Sequence, residues 1–403
     1  MGRSKTNKNK SISFAAVLGL LVCLILGVAC GAFFRIWQNI PEGYYIPATE
    51  KFTPDASLGE GYDVQEISSY ELSVHFPELG NKYTGDCTLI KVGDTEVLID
   101  AGSKTSSIPA IREYVDRFCT DGVLEYVVVT HAHEDHYAGF ATSENTESLF
   151  DIYECETVIT FSQITSGKES QKMYQNFMRE LGEEEEAGAT VYTAEECMTG
   201  EGGASDRFDL GNGVELQILD SYYYYNRASS ENDHSVCVMI NQGTGASAKH
   251  YLFTGDLEED GEEYLVQMND LPKVELYKAG HHGSKTSSSD ALLDVIDPNI
   301  VCVCCCTGSS EYTKTNANQF PTQEFIDRIA PHTDEVYATS LCLDYAEGKF
   351  GSLNGNIAVC ANAADARATV YASDNTTLLK DTEWFKQNRT MPEEWEKEQV
   401  AAA

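Results

Sequence analysis

The chain has 403 residues, 42% of them hydrophobic and 23% charged, a composition that excludes wholesale disorder and suits one large domain or two medium ones. Its 64 acidic and 28 basic residues leave a formal net charge of -36. That balance argues against a broad polyanion-binding face and favours solubility outside a cell.

Residues 12–34 carry no charged side chain, and at about 1.5 Å per residue they reach across the roughly 30 Å apolar core of a bilayer. Arg3, Lys5, Lys8 and Lys10 precede them. The positive-inside rule therefore keeps 1–11 in the cytoplasm, makes 12–34 a transmembrane anchor and places the remaining chain outside. A cleaved signal peptide and lipid attachment at Cys30 are the alternatives. From 35 to 70, Pro41, Gly43, Pro47, Pro54 and Gly59 interrupt any periodicity and suit an extended tether.

The folded domain is expected from Glu71 to about 375, leaving 376–403 as a C-terminal tail. Leu72, Val74 and Phe76 alternate, and strand signals repeat at 87–92 and 96–100 around Gly93 and Asp94, the pattern of a β-meander. Ile108, Ile111, Val115 and Phe118 have helical spacing; the β-branched run 126–129 then reads as a buried strand. A helix is expected over 170–181, ended in solvent by the glutamate run 183–186. Strands follow at 214–219, 235–240, 250–254, 274–278 and 300–305, alternating with helices near 262–268, 290–296 and 323–329. That alternation indicates an α/β sandwich. Strand alternation sends Cys304, Cys305 and Cys306 to opposite faces, so they read as core and not as a zinc cage.

The strongest chemical signal follows the strand at 126–129: His131, His133, Asp135 and His136 in the form HxHxDH. Imidazole nitrogens and a carboxylate suit Zn²⁺ or Mn²⁺, and four such groups within six residues converge when the chain turns sharply. Asp256 stands just beyond a second strand, and a carboxylate there suits a site with two ions roughly 3.5 to 4 Å apart. His281 and His282 sit between glycines after a third strand, followed by Ser284, Lys285 and a run of hydroxyls ahead of a helix. Such a run suits a phosphate oxygen.

These elements and their order resemble the metallo-β-lactamase superfamily, and more closely the extracytoplasmic hydrolase domain of the ComEC competence family. The likeness extends over about 71–360 through Gly85, Asp86 and Cys87, through 98–102, through Asn232, Ser235 and 254–256, through 280–284, and through 336–339 and 355–359. It implies a four-layer αββα sandwich with one or two divalent ions, Zn or Mn, at the edge where the strand-end loops meet. His131, His133, Asp135, His136 and Asp256 would hold them, and His281 or His282 would complete the shell. The second-motif histidine of lactamases is not evident; His234 is the nearby candidate ligand. Phe320 stands where related domains carry a histidine before Pro321. The polytopic channel of full competence proteins has no counterpart in the sequence.

The functional expectation is an extracytoplasmic, membrane-anchored hydrolase cleaving phosphodiesters with a metal-bound hydroxide. Its substrate would be nucleic acid or a cell-envelope component; Asp135 would orient or deprotonate the water, and Ser284 and Lys285 would hold the phosphate. The alternatives are a hydrolase of a carboxylic ester, lactam or thioester, and a non-catalytic surface protein of the same fold.

Overall fold

The computed structural model describes residues 63–396. The anchor segment 12–34, its basic flank and most of the 35–70 tether lie outside the described residues. Among the described residues no helix is long and apolar enough to cross a membrane.

Sixteen strands among the described residues form two sheets of eight. The first six are β1 (Leu72–Phe76), β2 (Thr88–Val92), β3 (Thr95–Ile99), β4 (Val123–Val129), β5 (Glu154–Thr160) and β6 (Thr190–Thr193). The middle group is β7 (Arg207–Gly211), β8 (Val214–Ile218), β9 (Val238–Gln242), β10 (Lys249–Phe253) and β11 (Leu276–Lys278). The last are β12 (Ile300–Thr307), β13 (Val336–Asp344), β14 (Lys349–Ser352), β15 (Ile357–Ala361) and β16 (Thr369–Ala372). One sheet runs β16-β15-β1-β2-β3-β4-β5-β6 and the other β14-β13-β12-β11-β10-β9-β8-β7. Both are mixed: β1, β2 and β3 pair antiparallel as the expected meander, and β3 to β6 pair parallel.

Strand alternation shows how the layers stack. On β12, Ile300, Cys302 and Cys304 enter the larger core while Val301, Val303 and Cys305 enter a second one. On β10, Tyr251 and Phe253 divide from Leu252 in the same way. The larger core joins apolar side chains of both sheets; the second packs β9 to β12 against the helices Glu259–Met268, Asp290–Ile296 and Gln323–Ile329. On the other side, His75 of β1 meets Tyr114 and Phe118, from the helix Ile108–Val115 and the turn after it. Helix, sheet, sheet and helix therefore follow in order. The clustered cysteines are buried core, as their alternation required.

Local boundaries differ in places. The glutamate run 183–186 lies inside the helix Lys172–Ala187, which ends at Gly188 with φ 124; glutamate is a good helix former, and glycine supplies the stop. Residues 63–67 of the tether form a capped turn, Val64–Ile67, whose two apolar ends are buried. The described part of 376–396 is packed: Leu379, Phe385 and Trp395 are buried in the second core.

β4, β10 and β11 all end at the same edge, so the loops after Val129, Phe253 and Lys278 meet there. A backbone bond from Val236 N to Thr130 O, 3.0 Å, ties the segment ahead of β9 to the loop after β4.

Candidate metal centre

The loop after β4 begins with Thr130, whose backbone N and hydroxyl donate to the two oxygens of Asp100 at 2.8 and 2.7 Å. Asp100 follows β3 with φ 60, a left-handed conformation that aspartate tolerates better than most residues. Its Oδ2 also accepts from His136 Nδ1 at 2.7 Å. The His136 proton is thereby held on Nδ1, and Nε2 is turned toward Asp256 Oδ2, 3.1 Å away.

The loop after β11 treats its second histidine in the same way. His281 and His282 have φ 47 and 55, a strained pair of the kind found where function fixes the backbone. His282 Nδ1 donates to the carbonyl of Cys304 at 2.9 Å and lies 3.1 Å from Asp86 Oδ1. Its Nε2 is left 3.5 Å from both Asp135 Oδ2 and Asp256 Oδ2. Gly255 precedes Asp256 with φ 54, and a Cβ there would come within 2.8 Å of Ser235 Oγ. Glycine alone admits that approach.

One ligand atom each from Asp135, His136, Asp256 and His282 lies within 4.8 Å of the others. His136 Nε2, His282 Nε2 and Asp256 Oδ1 are buried with no hydrogen-bond partner. Buried polar atoms without a hydrogen bond are costly unless something satisfies them. Two imidazole nitrogens and two carboxylates form a donor set that fits a divalent zinc- or manganese-type ion.

His131 and His133 stand beside this group: His131 Nε2 is 3.0 Å from His133 Nδ1, and the His131 ring centroid is 4.2 Å from that of His136. His281 is displaced from the group, with Nδ1 3.0 Å from Thr286 Oγ1 and Nε2 3.8 Å from Asp256. Of the histidine pair, His282 enters the tight cluster and His281 lines the cavity beside it. His234 is elsewhere. Its Nε2 accepts from Ala228 N at 3.0 Å and its Nδ1 lies 3.7 Å from Glu231, so its ring braces its own loop. Ser284 shares a hydrogen bond with Thr286, and Lys285 reaches out to Asn318 at 3.1 Å; neither lines the cavity.

Charge is concentrated and balanced. Burial opposes a proton on His136 and His282, but Asp256 with Asp100 and Asp86 outweighs it at His136, Asp256 with Asp86 and Asp135 outweighs it at His282, and both imidazoles are held well above the ordinary histidine range. A cation at their Nε2 atoms would displace those protons. His131, buried beside other imidazoles, is pushed well below that range. Burial would raise Asp86, but the Lys278 ammonium and two imidazoles outweigh it and lower its pKa.

Several supporting residues carried no assigned role in the sequence. Asp100 orients His136, Asp86 and Lys278 form a buried ion pair beneath His282, and Lys168 Nζ donates to the Ala132 carbonyl at 2.7 Å. Tyr312, from the loop after β12, donates to Asp135 Oδ2 at 2.5 Å. Asp86 and Asp100 each adjoin a glycine-bearing turn next to a strand, which is the signal available for them. Lys168 and Tyr312 have no local signal, since tertiary contact alone brings them in.

Residues 80–146, which include the HxHxDH run, match the metallo-beta-lactamase superfamily. Recombination protein 2 of Haemophilus influenzae is 25% identical over 259 residues, 64% of this chain and 26% of that protein. ComE operon protein 3 of Bacillus subtilis is 22% identical over 219 residues, 54% and 23% of the two chains. Competence protein ComA of Neisseria gonorrhoeae is 31% identical over 143 residues, 35% and 19%. The matched stretch is about a quarter of each relative's length, or less.

Proposed function

We propose that this chain, which carries a metallo-β-lactamase-superfamily domain resembling the ComEC competence family, is a metal-dependent phosphodiesterase. The observation that carries the reading is the cluster of Asp135, His136, Asp256 and His282, with three buried atoms that make no hydrogen bond, opening on a cavity of about 440 Å³.

When bound there, a divalent ion supplies Lewis acidity, lowering the pKa of water and offsetting charge on a phosphoryl oxygen. The chain's own residues do the rest. His136 and His282 are locked by Asp100 and Cys304 so that Nε2 faces the cluster. Asp135 lies at the cavity wall and accepts the proton of the attacking water at a carboxylate oxygen. Phe320 covers one side, with ring centroids 5.7 Å from His281 and 5.9 Å from His282, and limits water at the site. The relatives bear names from recombination and competence, which supports a nucleic-acid phosphodiester. The net charge of -36 favours a single strand or short substrate entering the cavity over a duplex lying across the surface.

The test uses the full chain loaded with Zn²⁺ or Mn²⁺, elemental analysis, and a panel holding an aryl phosphodiester, single- and double-stranded DNA, a lactam and a thioester. One or two metal equivalents and cleavage of a phosphodiester are expected. Asp135→Asn should lower that turnover roughly 10²- to 10⁴-fold, as loss of a proton acceptor does. A metal-loaded chain that cleaves the lactam or thioester and no phosphodiester would overturn the assignment.

A further inference from the structure

The cavity over the metal cluster is lined on one side by Lys104, Glu134 and Tyr312. Lys104 is the one lysine or arginine among the described residues lining it. In a chain of net charge -36, an anionic ligand group needs such a local cation to enter. Lys104 comes from the turn after β3, only two residues beyond the Asp100–Gly102 bend that orients His136. It pairs with Glu134 and lies 3.7 Å from Glu311, the residue before Tyr312. Glu311 is itself anchored, accepting from Thr84 N at 2.9 Å.

Tyr312 supplies the second group. Its ring packs 5.9 Å from Phe320, and its hydroxyl meets Asp135 Oδ2. A phenol has one proton to donate. With a cation held by Asp135, that O–H would be free to donate into the cavity, beside the ammonium of Lys104. Two donors, one charged and one neutral, then face the space next to the metal cluster. Lys285 is bound to Asn318 and Ser284 to Thr286, both away from this cavity.

We infer that Lys104 and Tyr312 form the subsite that grips an anionic oxygen of the substrate, the role that the sequence pattern had suggested for Ser284 and Lys285. This rests on the phosphodiester reading, in which the gripped atom is a non-bridging phosphate oxygen. Both are positioning residues for substrate, so their loss should raise KM more than it lowers kcat.

The experiment titrates inorganic phosphate into the full Mn²⁺-loaded chain by calorimetry, for the native protein and for Lys104→Gln, Tyr312→Phe, Ser284→Ala and Lys285→Gln. Metal content is measured on each sample by elemental analysis. Lys104→Gln and Tyr312→Phe should each weaken phosphate binding about tenfold, the loss of one charge-assisted or short hydrogen bond, at native metal content. Ser284→Ala and Lys285→Gln should bind as the native chain does. Native phosphate binding that survives both cavity substitutions, or falls with Lys285→Gln instead, overturns the subsite and leaves the phosphodiesterase reading standing. A native chain that takes up metal yet neither binds phosphate nor cleaves any phosphodiester overturns both. Tyr312→Phe with lost metal would make Tyr312 a support of Asp135 alone and also defeats the assignment; Tyr312→His, which restores a donor, should then fail to recover phosphate affinity.

Discussion

His136 and His234 are both buried histidines on short helical turns near strand ends, and their surroundings give them opposite roles. His136 is held by a carboxylate on one nitrogen and offers the other to the cluster; His234 spends its Nε2 on a backbone N–H of its own loop. Carboxylate partners of ligating histidines typically affect metal affinity 10- to 100-fold. Asp100→Ala should therefore weaken Zn²⁺ or Mn²⁺ binding by about that factor, read by competition with a chelator. His234→Leu should keep native affinity and lose about 1–3 kcal/mol of stability from the orphaned N–H of Ala228. Equal metal affinity in native and Asp100→Ala protein would show that His136 does not depend on this contact.

Among elements, the strands absent from the sequence reading are β5, β6, β7, β13, β14, β15 and β16. β6, β7, β14 and β16 are the four sheet edges, and edge strands are short and polar by necessity, which blunts their periodic signal. β5, β13 and β15 lie inside the sheets and carry ordinary apolar strand signals, so the edge argument does not cover them. β1 is the reverse case, buried on both faces, and it carries a histidine inward. His75 bonds Tyr114 and Ser73 at 2.9 and 2.8 Å; burial, then Lys91, push its pKa from 6.5 down to about 3. Folded His75 stays neutral while the unfolded chain takes up a proton below its ordinary pKa. Its contribution is thus complete above about 6.5 and is lost as pH falls toward about 3. From about pH 7 to pH 5 this removes on the order of 2 kcal/mol, and His75→Gln should abolish that part of the slope in denaturant titrations at the two pH values. An unchanged slope in the variant would place the effect on other groups.

On the scale of the whole molecule, the sandwich is closed by residues beyond its last strand. Trp395 is 1% exposed, packs 5.8 Å from Phe385 and donates from Nε1 to the Thr333 carbonyl at 2.9 Å. A span set apart as a tail is in this part a piece of the second core. Trp395→Ala should cost about 3–5 kcal/mol, the range for a large buried aromatic, and appear as a lowered Tm with metal stoichiometry retained. A Tm within a degree or so of native would mean that the packing of this segment contributes nothing to the fold.

The sequence by itself determined the sandwich class, the strands that lead to the site and the loops that end in HxHxDH, in Asp256 and in the histidine pair. These are local facts: a period of two in buried strands and metal-ligand side chains crowded within a few residues leave a mark on the chain itself. Tertiary structure alone decided that His282 and not His281 enters the cluster, because left-handed backbone at both residues turns their rings apart. It also decided the braces Asp86, Asp100, Lys168 and Lys278, and it put Lys104 and Tyr312 at the cavity in place of Lys285. Those contacts join residues as far apart in the chain as Asp86 and His282, and a pairing made only by the meeting of two sheets has no period, spacing or composition to announce it.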